Sequence, residues 1–138
     1  MSRSSHPERL EVLRVHGDSE GVVFSLYGEL DADTAPKLGQ VLGSVLAAKY
    51  PPEVLIVDLS GLSLLSVAGI RAVHAVHAGA GDSRVRVVTG DRPAVRELLH
   101  ASHFDAVLDC YRSRMQAVVV GSRDDFVRHA RAIWEASP

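Results

Sequence analysis

Val54-Leu55-Ile56-Val57-Asp58-Leu59-Ser60-Gly61-Leu62-Ser63-Leu64-Leu65-Ser66-Val67-Ala68-Gly69 is the stretch on which the fold turns. Its first four residues are a continuous apolar run rich in β-branched side chains, the pattern of a central strand buried on both faces. Asp58-Leu59-Ser60-Gly61 takes the chain out of the sheet. A helix starts near Ser66, a residue type preferred at the helix N-cap, and carries Val67, Ile70, Val73 and Val76. Gly79-Ala80-Gly81-Asp82 ends it. A buried strand followed directly by an amphipathic helix belongs to a parallel α/β arrangement.

The flanks extend the same pattern. Upstream, Leu10 to Val15 alternates apolar and polar residues and predicts an edge strand. Gly17-Asp18-Ser19-Glu20-Gly21 is a turn cluster, and Val22 to Leu30 is a second strand, so the pair predicts a hairpin. Asp31-Ala32-Asp33-Thr34 opens a helix that Asp33 or Thr34 can cap, with Pro36 in its first turn. Leu38, Val41, Leu42, Val45 and Leu46 form its apolar face, and Pro51-Pro52 stops it. Downstream come a strand at Arg84–Thr89, a helix from Pro93 with Val95, Leu98 and Leu99 on one side, and a short strand at Val107–Tyr111. Residues 113–121 read as strand or helix. Ser122-Arg123-Asp124-Asp125 then caps a helix at about 123–136, with Phe126, Val127, Ala130, Ile133 and Trp134 on its apolar face. The expectation is an α/β fold: one mixed sheet of four to five strands with helices against it. Residues 1–9 form a flexible tail and residues 10–138 a single domain in this reading.

Composition narrows the function classes. The 138 residues are 46% hydrophobic and 23% charged, enough for a packed core without a disulfide or metal staple. Aromatics are only 5%, so that core is aliphatic. A formal net charge of −2 leaves no basic excess for phosphate backbones, which argues against a nucleic-acid partner. Cys110 is alone, so neither an internal disulfide nor a cysteine zinc site is available, in keeping with a cytoplasmic location. No apolar stretch has the length of a bilayer span, and the polar N-terminus lacks the centre of a signal peptide, so direct membrane insertion is not expected.

Two segments in combination resemble the STAS family, named for sulphate transporters and anti-sigma factor antagonists. The first is Gly28-Glu29-Leu30-Asp31 at a strand end, and the second is the 54–69 stretch with its Asp58-Leu59-Ser60-Gly61 step. The resemblance covers roughly residues 10–111. It implies the family's mixed sheet with helices packed on one side. It also implies a function: an antagonist that binds an anti-sigma factor of histidine-kinase-like ATPase fold and so frees a sigma factor. In that group a serine in Asp-Ser-Ser-Gly, at the start of the second helix, is phosphorylated by the partner, and the phosphate breaks the association. Phosphate adds about −1.5 to −2 charges, which disfavours close docking.

This chain departs from that pattern where the switch lies. With Gly69 on the motif glycine, Ser66 replaces Asp, Val67 replaces the first serine and Ala68 replaces the phosphoacceptor. Alanine has no hydroxyl to modify. Three readings stand side by side: an antagonist held permanently in its binding form, one phosphorylated instead at Ser66 or Ser63, or a STAS scaffold with another partner. The last includes an accessory module of a membrane transporter and a small-ligand-binding module. The docking surface implied by the resemblance comprises Ser63, Leu64, Leu65, Ser66, Val67, Ala68, Gly69 and Arg71, with Asp31 beside it.

Simpler roles compete for each residue. Ser66 is an ordinary N-cap, worth about 1 kcal/mol, and Ser60 and Ser63 are turn residues. Asp31 and Asp58 end strands that local order places side by side, but neither has a nucleophile or metal set beside it, so no catalytic residue is assigned and the chain is not read as an enzyme. His74 and His77, and His100 and His103, have a spacing that can hold a metal; with no completing ligand they read as solvated, and neither metal nor cofactor is expected. Arg84, Arg86, Arg92, Arg96, Arg112 and Arg114 read as a mixed solvated surface. Trp134 anchors the last helix, which either covers a sheet edge or supports a homodimer.

Overall fold

The computed structural model describes residues 9–17 and 21–118. The N-terminal tail, the centre of the first turn and the helix at 123–136 with Trp134 lie outside the described residues.

A ten-residue strand organises the sheet. β2 (Gly21–Leu30) pairs antiparallel with β1 (Leu10–Gly17) on one side. On the other side its first half pairs parallel with β3 (Val54–Asp58), from Gly21↔Val54 to Ser25↔Asp58. Its second half pairs parallel with β4 (Leu62–Leu65), closing with Leu30↔Leu65. β5 (Arg84–Val88) and β6 (Asp109–Tyr111) continue the parallel sheet beyond β3. Among the described residues the sheet has six strands, one more than the upper expectation. The extra strand is β4, which the sequence reading treated as part of the run into the second helix. Four residues are too few to show a period, and β4 is a strand only because β2 outruns β3 and offers it an edge.

Three helices cover one face: α1 (Ala35–Leu46), α2 (Val67–Ala78) and α3 (Pro93–Ala101). Leu38 and Leu42 of α1, Ile70, Val73 and Val76 of α2, and Val95 and Leu99 of α3 join Leu26, Leu30, Leu55, Val57 and Val87 of the sheet in one aliphatic core. The α1 face is the one its periodicity predicts, with Val41, Val45 and Leu46 at the margin. α2 differs at its start: Val67 is 40% exposed and points away from the core.

The other face of the sheet carries a second small cluster of Val23, Ile56, Val88 and Ala117. Residues 114–118 are helical, and Ala117 seats them on this cluster. That cover corrects the reading of the arginines as uniformly solvated. Arg86 is 1% exposed and donates Nη1 to the Ala117 carbonyl at 3.0 Å. Arg114 and Arg92 are also committed to specific partners, described below. The alternation Arg84-Val85-Arg86-Val87 imitates a half-solvated strand because the cover arrives from residues some 30 positions away. Cys110 lies at the core margin, where burial, then Asp109 and Asp105, push its thiol up to about 11.

Candidate functional site

The chain between β3 and α2 forms a ledge along the edge of β2, fastened at both ends and in the middle. At its start, the 4%-exposed Asp58 turns its carboxylate back on the loop. Its Oδ1 accepts the Ser60 amide at 2.9 Å and the Ser60 hydroxyl at 2.6 Å. In the middle, the Arg92 guanidinium at the start of α3 donates to the Leu62 carbonyl. The Ser63 hydroxyl donates to the Gly28 carbonyl at 3.0 Å. At its end the Ser66 amide donates to the Leu30 carbonyl at 3.0 Å.

Ser66 is the N-cap of α2: its hydroxyl accepts the Gly69 amide at 3.1 Å. This satisfies one of the free N–H groups of the first turn. Gly69 then meets β2 at a distance no side chain tolerates, since a Cβ there would lie 2.5 Å from the Leu30 carbonyl oxygen. The motif glycine is therefore a contact between helix and strand. Gly28 is constrained twice, by φ +96° and by the Arg9 carbonyl 2.0 Å from where a Cβ would stand. It marks the register shift at which β2 turns to pair with β4.

Asp31 follows Leu30 and so lies next to Ser66. Thr34 is the N-cap residue of α1 but makes no side-chain capping bond, and it is Asp31 that holds the turn preceding the helix. Asp31 Oδ1 accepts from the Asp33 and Thr34 amides at 3.0 and 3.1 Å. Oδ2 takes Arg9 at 2.7 Å. Desolvation raises its pKa, but the Thr34 amide, the Arg9 charge, the Asp33 amide and the Thr34 hydroxyl outweigh it and hold the carboxyl below its ordinary value. A depressed folded pKa contributes stability that is complete above about pH 3.8, the unfolded value, and fades as pH falls through the folded value. Asp31→Asn is expected to flatten this part of the acid limb in a denaturation series between pH 5 and 2; an acid limb as steep as that of the unsubstituted protein would remove Asp31 from this role.

The fold thus brings Ser63 to Gly69 and Asp31 together, and it separates Asp31 from Asp58. Asp58 stands opposite Ser25, so the second half of β2, about 20 Å of extended chain, lies between the two carboxylates. Leu64 and Val67 are 44% and 40% exposed and give the ledge an apolar crest. Ala68 is half-buried at the mouth of a groove between α1 and α2 lined by Ala32, Gly39, Gly43, Ala72 and Ala75. Arg71 is exposed and borders a smaller cavity with Val67, Leu98 and Phe104. Arg92 and Arg114, which act on this ledge, were missed in the sequence. Their only signal is charge, and their partners lie 30 and 56 residues away.

One histidine pair departs from the expectation of full solvation, since His74 and His77 are half-buried, while His100 and His103 are exposed. His74 packs on the Phe104 ring, 5.2 Å between centroids. Burial and the neighbouring His74 push His77 below its ordinary pKa, against the pull of Asp109. His100 Nδ1 lies 3.0 Å from Asp105. Among the described residues no group of three or more His, Cys, Asp or Glu converges as a metal site would require. No helix among them is long and apolar enough to cross a membrane.

A mixed sheet, six-stranded among the described residues, with α1, α2 and α3 on one face and a capped ledge running into α2 defines an α/β domain of a known kind. The family model described as "Mlab, STAS domain" matches residues 13–109, and the chain belongs to the STAS domain family. It is similar to an anti-sigma factor antagonist from Mycobacterium paratuberculosis, at 30% identity and a TM-score of 0.73 over 83% of this chain and 95% of that one. It shares the fold of the anti-sigma factor antagonist SpoIIAA in its unphosphorylated form, at 19% identity and a TM-score of 0.60 over 87% and 96% of the two chains. It also shares the fold of a segment of SLC26A9, at 19% identity and a TM-score of 0.53 over 80% of this chain and 21% of that one. No curated protein matches this chain.

Proposed function

We propose that this protein is a cytoplasmic regulatory binding protein, not an enzyme, that docks on an anti-sigma factor of histidine-kinase-like ATPase fold and so frees a sigma factor. The observation that carries this reading is a backbone-anchored ledge presenting Leu64 and Val67 to solvent, with Asp31 beside Ser66 and the exposed Arg71 one turn beyond Val67 on α2. A rigid apolar crest bordered by polar and charged residues is suited to docking a protein, because little ordering is needed on binding. Similarity to an anti-sigma factor antagonist along most of both chains supports the choice of partner.

Ala68 makes docking insensitive to the family's phosphate. The hydroxyl of Ser66 is spent on the cap of α2, so Ser66 is a poor replacement acceptor; Ser63 is the more exposed of the two. The binding-competent form is therefore the standing state of the protein. A fixed ledge without a switch equally suits a STAS module that accompanies a membrane transporter, and the identity of the bound ATPase separates the two.

The test is capture from the host lysate followed by titration of the recovered ATPase against purified variants. A soluble histidine-kinase-like ATPase is expected; transporter subunits in its place would reassign the module. Ala68→Asp places a carboxylate in the first turn of α2, where the helix dipole favours it, so the fold should keep its stability. Affinity is expected to fall by about tenfold or more, because the charge must be desolvated on docking. An unchanged Kd would mean that the ledge is not the docking surface.

A further inference from the structure

We infer that Arg114 is a positioning residue for the ledge, a strut that fixes its first turn from the opposite face of the sheet by way of Asp58. The Asp58 carboxylate is shared between two structures. Oδ1 faces the loop and holds both the amide and the hydroxyl of Ser60. Oδ2 accepts Arg114 Nε at 2.6 Å. The guanidinium also donates through Nη2 to the Ser25 hydroxyl, and Ser25 is the register partner of Asp58 on β2. One side chain therefore bridges β2 and β3 on the face away from the three helices. A buried carboxylate needs compensation from every direction in which it has lost water. With Oδ2 neutralised by Arg114, Oδ1 keeps its lone pairs on Ser60. Without Arg114 the carboxylate is driven to turn toward solvent and to release the loop.

Residues around Arg114 are held independently of this pair. Ala117 is buried among Val23, Ile56 and Val88, and its carbonyl takes Arg86 Nη1. The strut therefore has a fixed base, and whatever displaces residues 113–118 from the sheet is felt at Ser60. Hydrogen bonding to Asp58 raises the Arg114 pKa against the desolvation that opposes it, and Tyr27 adds to the same pull. Only the purpose of the ledge rests on the docking reading; the strut itself does not.

The experiment is amide hydrogen exchange by NMR on the full chain and on Arg114→Ala, Arg114→Lys and Ser25→Ala. Arg114→Ala is expected to speed exchange at the Ser60 and Leu62 amides by about tenfold, the loss of one charge-assisted hydrogen bond. Leu42 in α1 and Val73 in α2 should keep their protection, and Arg114→Lys should restore part of the Ser60 protection by supplying a cation without the second arm. If Arg114→Ala does not fold, Ser25→Ala, which removes only the guanidinium's other anchor, is expected to give the same local pattern more weakly. Exchange that is unchanged at Ser60, or that rises equally at every amide, would overturn the strut. No partner enters this measurement, so its failure leaves the docking reading intact, whereas an unchanged Kd for Ala68→Asp leaves the strut intact.

Discussion

Alanine in place of Gly69 is expected to destabilise the protein by about 2–3 kcal/mol, and alanine in place of Gly43 to stabilise it by about 0.5–1 kcal/mol. Both glycines are helical, so on propensity alone each change should help. Their surroundings set the sign. A Cβ on Gly43 would meet nothing within 4 Å. A Cβ on Gly69 would lie 2.5 Å from the Leu30 carbonyl oxygen and 2.8 Å from Leu30 Cγ. Leu30 is fully buried and its carbonyl already holds the Ser66 amide, so it has nowhere to retreat. α2 must instead lift from β2, loosening the Gly69 bond to the Ser66 cap as it does so. Urea denaturation of the two variants beside the unsubstituted protein reads the difference directly. Two variants that move the midpoint in the same direction would contradict this account of Gly69. Gly69→Ala should also weaken partner binding more than its stability loss explains, since the cap belongs to the ledge.

Most of the architecture was legible because the signals are local. The α1 stripe and the Val54–Val57 run each depend on neighbours within one or two turns, and each appears where periodicity puts it, although α1 already ends at Leu46, short of the Pro51-Pro52 stop. β4 was not legible, because its existence depends on β2 outrunning β3. The ledge was half legible. Ser66 as a cap follows from its place just before the helical pattern, while Gly69 as a motif residue and Asp31 beside it follow from the family pattern. What holds the ledge in place does not: Arg92 and Arg114 reach it from other elements. Asp58 illustrates the limit. It ends a strand like Asp31, yet parallel pairing puts it opposite Ser25, and its partner is an arginine that composition assigns to solvent.

Arg86 should separate the contribution of a buried charge from that of a filled volume. It is the largest fully buried side chain among the described residues, standing mid-strand in β5. It donates to the Ala117 carbonyl, and its Nε lies 3.9 Å from Asp109 Oδ2. The two ends of this ion pair differ in burial, since the Asp109 side chain is 42% exposed. Removing the arginine therefore leaves a carboxylate that water can still solvate, and the penalty for an orphaned buried charge does not arise. Among the contacts described, what is lost is the space the side chain filled and the donor to Ala117. Arg86→Ala loses both, for an expected cost of about 3–5 kcal/mol. Arg86→Met keeps most of the volume and removes the cost of burying a cation, so its expected loss is only about 1–2 kcal/mol, set by the Ala117 carbonyl left without its donor. Chemical denaturation of the two variants decides between packing and charge. Equal losses from Ala and Met would make the charge the main contributor, and Asp109 would then have to be far better shielded from water than its exposure indicates.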